Sequence, residues 1–121
     1  MSVSVTVVDD SKISRKMVIK ALPENWDISL TQAENGIEAL EAYRAGKAEV
    51  MFLDLTMPEM DGYEVLETLQ KEALNTFVVV ISADIQPEAQ QRVKKLGAMA
   101  FIKKPVKTEH ITEVLKQYGI I

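Results

Sequence analysis

Short runs of β-branched and other apolar residues alternate with stretches of helical spacing along the whole of this chain, and no other feature restricts its fold as strongly. The runs are Val3 to Val8, Ile28 to Ala33, Val50 to Leu53, Phe77 to Ile81 and Met99 to Ile102. Rich in Val and Ile and too short for helices, they read as buried parallel strands, Ile28 to Ala33 more weakly than the others. Between them, helical spacing sets Ile13, Met17 and Ala21 on one face, then Ile37, Leu40 and Tyr43. Val65, Leu66 and Leu69 follow, and finally Ile111, Val114, Leu115 and Tyr118. Asn35 with Glu38 and Asp61 with Glu64 have capping-box spacing, Pro87 suits a first helical turn, and Gly97 suits a helix end. The stretch from Pro87 to Leu96 is the least apolar of the predicted helices, with only Ala89, Val93 and Leu96 facing inward. It should be the most loosely held.

Five strand–helix repeats predict an α/β fold, a parallel sheet covered on both faces. Right-handed crossovers bring the carboxyl ends of all the strands to one edge. With 121 residues and no linker-like segment, residues 1–121 are expected to form one domain. The chain has no cysteine, which rules out disulfides and thiolate metal sites and points to a reducing compartment. It has no basic, apolar leader and no run near the roughly 20 apolar residues that span a bilayer, so the expected location is cytoplasmic. A net charge of −4 has the wrong sign for holding nucleic acid by its phosphates.

The carboxyl edge is where such sheets place ligands. The first strand runs there into Asp9 and Asp10, the third into Asp54, the fourth into Ser82 and the fifth into Lys103 and Lys104. Asp10 or Ser11 alone could serve merely as a helix cap, but the set cannot be explained that way. Two carboxylates about 4 Å apart repel by roughly 4 kcal/mol at an effective dielectric near 20. Either a proton or a cation must compensate, and Lys104 provides only one positive charge. A hard divalent ion held by oxygens fits better, and magnesium better than zinc, given the missing cysteines and a single histidine, His110, on a helix elsewhere. Asp54, alone on the central strand, is the candidate nucleophile for an acyl phosphate. Magnesium and Lys104 would supply charge, and Ser82 a hydrogen bond.

Asp9 and Asp10, Asp54, Met57 and Pro58, Asp61 and Gly62, Ser82 and Ala83, Gly97 and Ala98, and Lys104 and Pro105 together resemble the receiver domains of bacterial two-component response regulators. The likeness runs through essentially the whole chain and is closest from Asp54 to Gly62. It implies a five-stranded sheet of order 2-1-3-4-5 in a flavodoxin-like three-layer sandwich. It also implies direct magnesium binding by Asp10 and Asp54, binding by Asp9 through water, and a further ligand in the Thr56 carbonyl. Lys104 would pair with the phosphoryl group across a cis peptide to Pro105. Ser82 and Phe101 would act as switch residues, and the fourth helix, fifth strand and fifth helix would form the readout face, roughly Asp84 to Lys107 with part of Glu109 to Tyr118. Ordinary core packing is the competing role for Phe101. Thr56 and Asp84 stand at variable positions that tune dephosphorylation.

The implied function is that of a stand-alone regulator. It would take phosphate from a sensor histidine kinase, bind a protein target or phosphatase, and be a monomer that can dimerise on phosphorylation. A chemotaxis-type regulator is the leading form, and a phosphorelay intermediate passing phosphate to a histidine protein is the alternative. The Met1 start and complete final helix favour a full-length protein over an excised domain. An aspartyl-nucleophile phosphatase would need a second carboxylate two residues after Asp54, where Thr56 stands, and no GxxxxGK loop suggests a nucleotide hydrolase. A flavodoxin-like carrier would not need the acidic pair, acceptor and lysine together. No turnover on an external substrate is expected.

Overall fold

The computed structural model describes residues 2–72, 75–84 and 86–121. The strands are β1 (Val3–Val8), β2 (Ile28–Ala33), β3 (Val50–Leu53), β4 (Phe77–Ser82) and β5 (Ala100–Lys103). The helices are α1 (Lys12–Ala21), α2 (Gly36–Arg44), α3 (Gly62–Lys71), α4 (Pro87–Lys95) and α5 (Thr108–Gln117). All strand pairs are parallel, in the order β2-β1-β3-β4-β5. This is the three-layer, flavodoxin-like arrangement that the resemblance implied.

Alternation along the strands divides the core into two layers. Met51 and Leu53 point to a layer shared with Leu40, Val65, Leu66, Leu69 and Val93, which belong to α2, α3 and α4. Val50 and Phe52 point to the other layer, with Val18, Leu22, Ile111 and Leu115 from α1 and α5. β3 is buried throughout because it is central and covered on both faces. The strand at the end of the chain begins one residue later than its apolar run suggests, since Met99 donates its amide to Val78 outside the ladder.

The helix faces depart from simple periodicity in α1 and α2. Ile13 and Met17, read as inward, are 73% and 49% exposed, and Ile37 is exposed as well. The inward side of α1 is instead Arg15, Val18 and Ala21, one step around the helix. Rotating it that way seats the guanidinium of Arg15 under the turn after β1, where backbone oxygen accepts from it. Tyr118 is partly exposed, yet its ring packs edge-on against Phe77 at 5.2 Å.

Candidate functional site

The register of the sheet builds the site. Val8 lies opposite Leu53 in the β1–β3 ladder, and the amide of Asp54 donates to the carbonyl of Val8 at 3.0 Å. Asp9 and Asp54, each one residue beyond, therefore leave adjacent strands side by side. On the far side Ser82 pairs with Lys103, and the amide of Lys104 donates to the Ser82 carbonyl at 2.9 Å. Four chain segments thus deliver their polar ends to one place. Gly62 closes it tightly: a Cβ there would lie 2.5 Å from the carbonyl oxygen of Asp54. The loop between them also holds Glu59 in the left-handed region, at φ 66°.

Asp9, Asp10 and Asp54 each offer a carboxylate oxygen, and these atoms lie within 4.8 Å of one another. Asp9 and Asp54 are 3% and 7% exposed, whereas Asp10 is exposed to solvent. Lys104 Nζ stands 3.1 Å from Asp9 Oδ2 and 3.3 Å from Asp54 Oδ1. Asp9 Oδ1 accepts the amide of Ser11 at 2.9 Å, so both of its oxygens already have donors. The Asp10 carboxylate has no hydrogen bond or ion pair among the described residues and faces solvent with its lone pairs free.

The charges of the cluster itself do not balance. Burial pushes the Asp54 carboxyl above its ordinary value, and the neighbouring charge of Asp9 adds to the push, against Lys104 and the Leu55 amide. Burial alone would lower the Lys104 ammonium, but Asp54 and Asp9 together outweigh it and hold it above its ordinary value. Its contribution to stability is present below the ordinary lysine range and lost as pH rises through the raised value. When ionised, three carboxylates against one ammonium leave two negative charges in excess. That donor set, all hard oxygen with one carboxylate free, fits a divalent cation of the magnesium kind.

The remaining expected residues lie around this pocket. Thr56 is exposed on the loop two residues beyond Asp54. Ser82 is buried at the end of β4, and its hydroxyl accepts the amide of Asp84 at 3.1 Å. The peptide between Lys104 and Pro105 is cis, as the resemblance implied. Phe101 is half-buried against the α2–α3–α4 layer and borders a cavity of ≈ 330 Å³ with Val93, Ala98 and Tyr118. His110 is exposed in the first turn of α5 and is not one of the clustered acidic residues. Ser11, not Asp10, caps α1 through its side chain. Arg15 was missed by sequence reading: its guanidinium donates to the Asp9 carbonyl at 2.7 Å. The available signal was its helical spacing with Val18 and Leu22, an apolar stripe with a charge at one end.

Comparison with known proteins agrees with this geometry. The family described as the response regulator receiver domain matches residues 5–116. The chemotaxis protein CheY of Listeria monocytogenes is 33% identical over 111 residues, covering 92% of this chain and 93% of that protein. The polar-differentiation response regulator DivK of Brucella anthropi is 28% identical over 120 residues, covering 98% and 97%. Among solved structures, a CheX–CheY complex with BeF3 and magnesium from Borrelia burgdorferi superposes with a TM-score of 0.85 at 28% identity, covering 97% of this chain and 89% of that one. Among the described residues, no helix is long and apolar enough to cross a membrane.

Proposed function

This chain belongs to the response regulator receiver domain family, and from that premise we propose that it is a phosphorylation-driven switch whose acceptor is Asp54. The observation carrying this reading is the convergence of Asp9, Asp10 and Asp54 on one point with Lys104 beside them. A carboxylate oxygen of Asp54 attacks the phosphorus of a phosphohistidine on a sensor kinase. The new P–O bond forms as the P–N bond breaks, and the electron pair returns to the imidazole. Lys104 sits where it would neutralise charge on the incoming phosphoryl oxygens. Asp10 and Asp54, with the carbonyl of Thr56, would hold magnesium directly, and Asp9, its oxygens already engaged, through water. When bound, that ion supplies the positive charge the protein lacks.

The donor must reach Asp54 from the open side of the pocket. α1 exposes Met17, which lines an apolar hollow of ≈ 280 Å³ with Val18, Ile81, Pro105 and Val106, bordered by Lys104. We assign this surface to the donor protein, because it is apolar and continuous with the acceptor pocket.

The output follows from differential contacts. In this structure the Ser82 hydroxyl serves its own loop, through Asp84. A phosphoryl oxygen on Asp54 would compete for that hydroxyl and draw the loop inward, letting Phe101 follow. The moving element would be α4, which buries only Ala89 and Val93, has no side-chain cap, and rests on α3 by Arg92 over the Tyr63 ring at 4.0 Å. The target, by this reading a protein of the chemotaxis type, would recognise the resulting α4–β5–α5 surface. Within it, Ile85 lies outside the described residues. No external substrate is turned over, and the proposed setting is the cytoplasm.

Intact-mass measurement after adding magnesium and acetyl phosphate tests the core of this reading. One phosphoryl adduct is expected, absent without magnesium and absent in Asp54→Asn. An adduct that persists unchanged in that variant would remove Asp54 as the acceptor.

A further inference from the structure

We infer that Arg15 is a positioning residue for the cation site, acting through the peptide that joins Asp9 to Asp10; this rests on the magnesium reading above. Arg15 is 6% exposed and carries a guanidinium, a positively charged group. A buried charge normally needs a buried counter-charge. None touches it. Nη1 donates to the Asp9 carbonyl at 2.7 Å, Nε donates to Gln32 Oε1 at 2.9 Å, and the nearest carboxylate, Glu34, is 3.8 Å away with its side chain 67% exposed.

The Asp9 carbonyl belongs to the peptide plane from which both acidic side chains diverge. Its orientation sets where the Asp9 and Asp10 carboxylates point. On one side the Asp9 amide is fixed to Ala33 at 3.1 Å, and on the other the Ser11 amide is fixed to Asp9 Oδ1 at 2.9 Å. The carbonyl between them, beyond the end of β1 and before the first helical turn, has Arg15 as its donor. The guanidinium fork reaches β2 and the turn at once, which locks the plane from two directions. Its charge is buried next to the backbone that carries the acidic pair. Outer contacts of this kind orient the groups that hold a metal.

The competing role is a purely structural tie between α1 and β2 through Gln32. Two variants separate these roles. Arg15→Lys keeps the charge but replaces the planar fork, which meets Asp9 and Gln32 from two separate nitrogens, with one strongly hydrated nitrogen on a flexible stem. Gln32→Leu cuts the tie to β2 and leaves the Asp9 contact. Magnesium alone is titrated into each unphosphorylated protein by calorimetry, with thermal melts alongside. Arg15→Lys should bind magnesium roughly ten- to a hundredfold more weakly, while Gln32→Leu loses thermal stability and binds as wild type. Equal affinity in Arg15→Lys and wild type, or equal weakening in both variants, overturns the positioning role.

A measurement on the unaltered protein guards against a variant that does not fold. During a magnesium titration followed by NMR, the Arg15 Nε–H resonance should shift with the same midpoint as the Asp10 amide. An Arg15 signal that stays fixed while the Asp10 amide moves defeats this inference alone. Magnesium that moves none of the Asp9, Asp10 and Asp54 amides defeats it together with the metal reading.

Discussion

At the carboxyl edge of the sheet, three carboxylates crowd around one ammonium. At the amino edge, Trp26 and Pro23 lie with Val3, Ile120 and Ile121 around a cleft rimmed by Glu24, Asp27 and Lys116, and Phe77 packs edge-on against Tyr118. One edge is held by what it buries. The other gathers three carboxylates around one ammonium, and in the proposed reading a bound cation balances them. A switch needs this asymmetry, since a ligand moves an equilibrium only by binding one arrangement better than another. In the proposed switch the amino edge would serve as the frame, and the charged edge would supply the difference.

Asp54→Asn gives the largest expected effect, because it removes the acceptor from the charged edge. Phosphorylation from acetyl phosphate should vanish in the intact-mass spectrum. The same variant should be more stable than wild type without metal at neutral pH. The sign follows from the raised Asp54 pKa: its ionised form is disfavoured in the folded state, so its cost appears as pH rises through the ordinary carboxylate range and persists above the raised value. A metal-free melt showing Asp54→Asn less stable than wild type would mean that the crowded carboxylates are not a source of strain.

Trp26→Ala should cost about 3 kcal/mol in urea unfolding, as other large-to-small aromatic changes do. Its magnesium affinity should be unchanged if the two edges are independent, and a weakened titration would break the comparison. For the same reason, magnesium should barely alter Trp26 fluorescence in the wild type. Magnesium at a hundredfold over its dissociation constant should raise wild-type stability by about 2.7 kcal/mol, reversed by a chelator. The affinity should begin to fall with decreasing pH above the usual carboxylate range, because Asp54 takes up its proton early. A fall beginning only within the ordinary range would place the perturbed carboxyl elsewhere.

The smallest effect concerns α4. Arg92→Ala removes the contact over Tyr63 and the 3.8 Å approach to Glu67, and should cost less than about 1 kcal/mol of stability. If α4 is the moving element, beryllofluoride should bind this variant more tightly than wild type. Unchanged binding would detach α4 from the switch.

The sequence by itself determined the strands, their polar endings and the chemistry those endings support. Asp9, Asp10, Asp54 and Lys104 were legible because apolar runs stop abruptly at charged residues, and topology sends all such ends to one edge. The two capping pairs were legible for a similar reason, since Asn35 and Asp61 act on amides three residues away. Tertiary structure decided what depends on distant partners. The pairing of Val8 with Leu53 puts Asp9 beside Asp54, and a slip of one residue would point one of them away. The rotation of α1 was equally hidden. Periodicity finds a stripe without saying which competing stripe faces inward, and Ile13 and Met17 look more apolar than Arg15. The face that turned inward buries Val18 and Ala21 and lets Arg15 donate to the Asp9 carbonyl six residues back. Local spacing carries no trace of that bond, because it exists only once β1, β2 and α1 have come together.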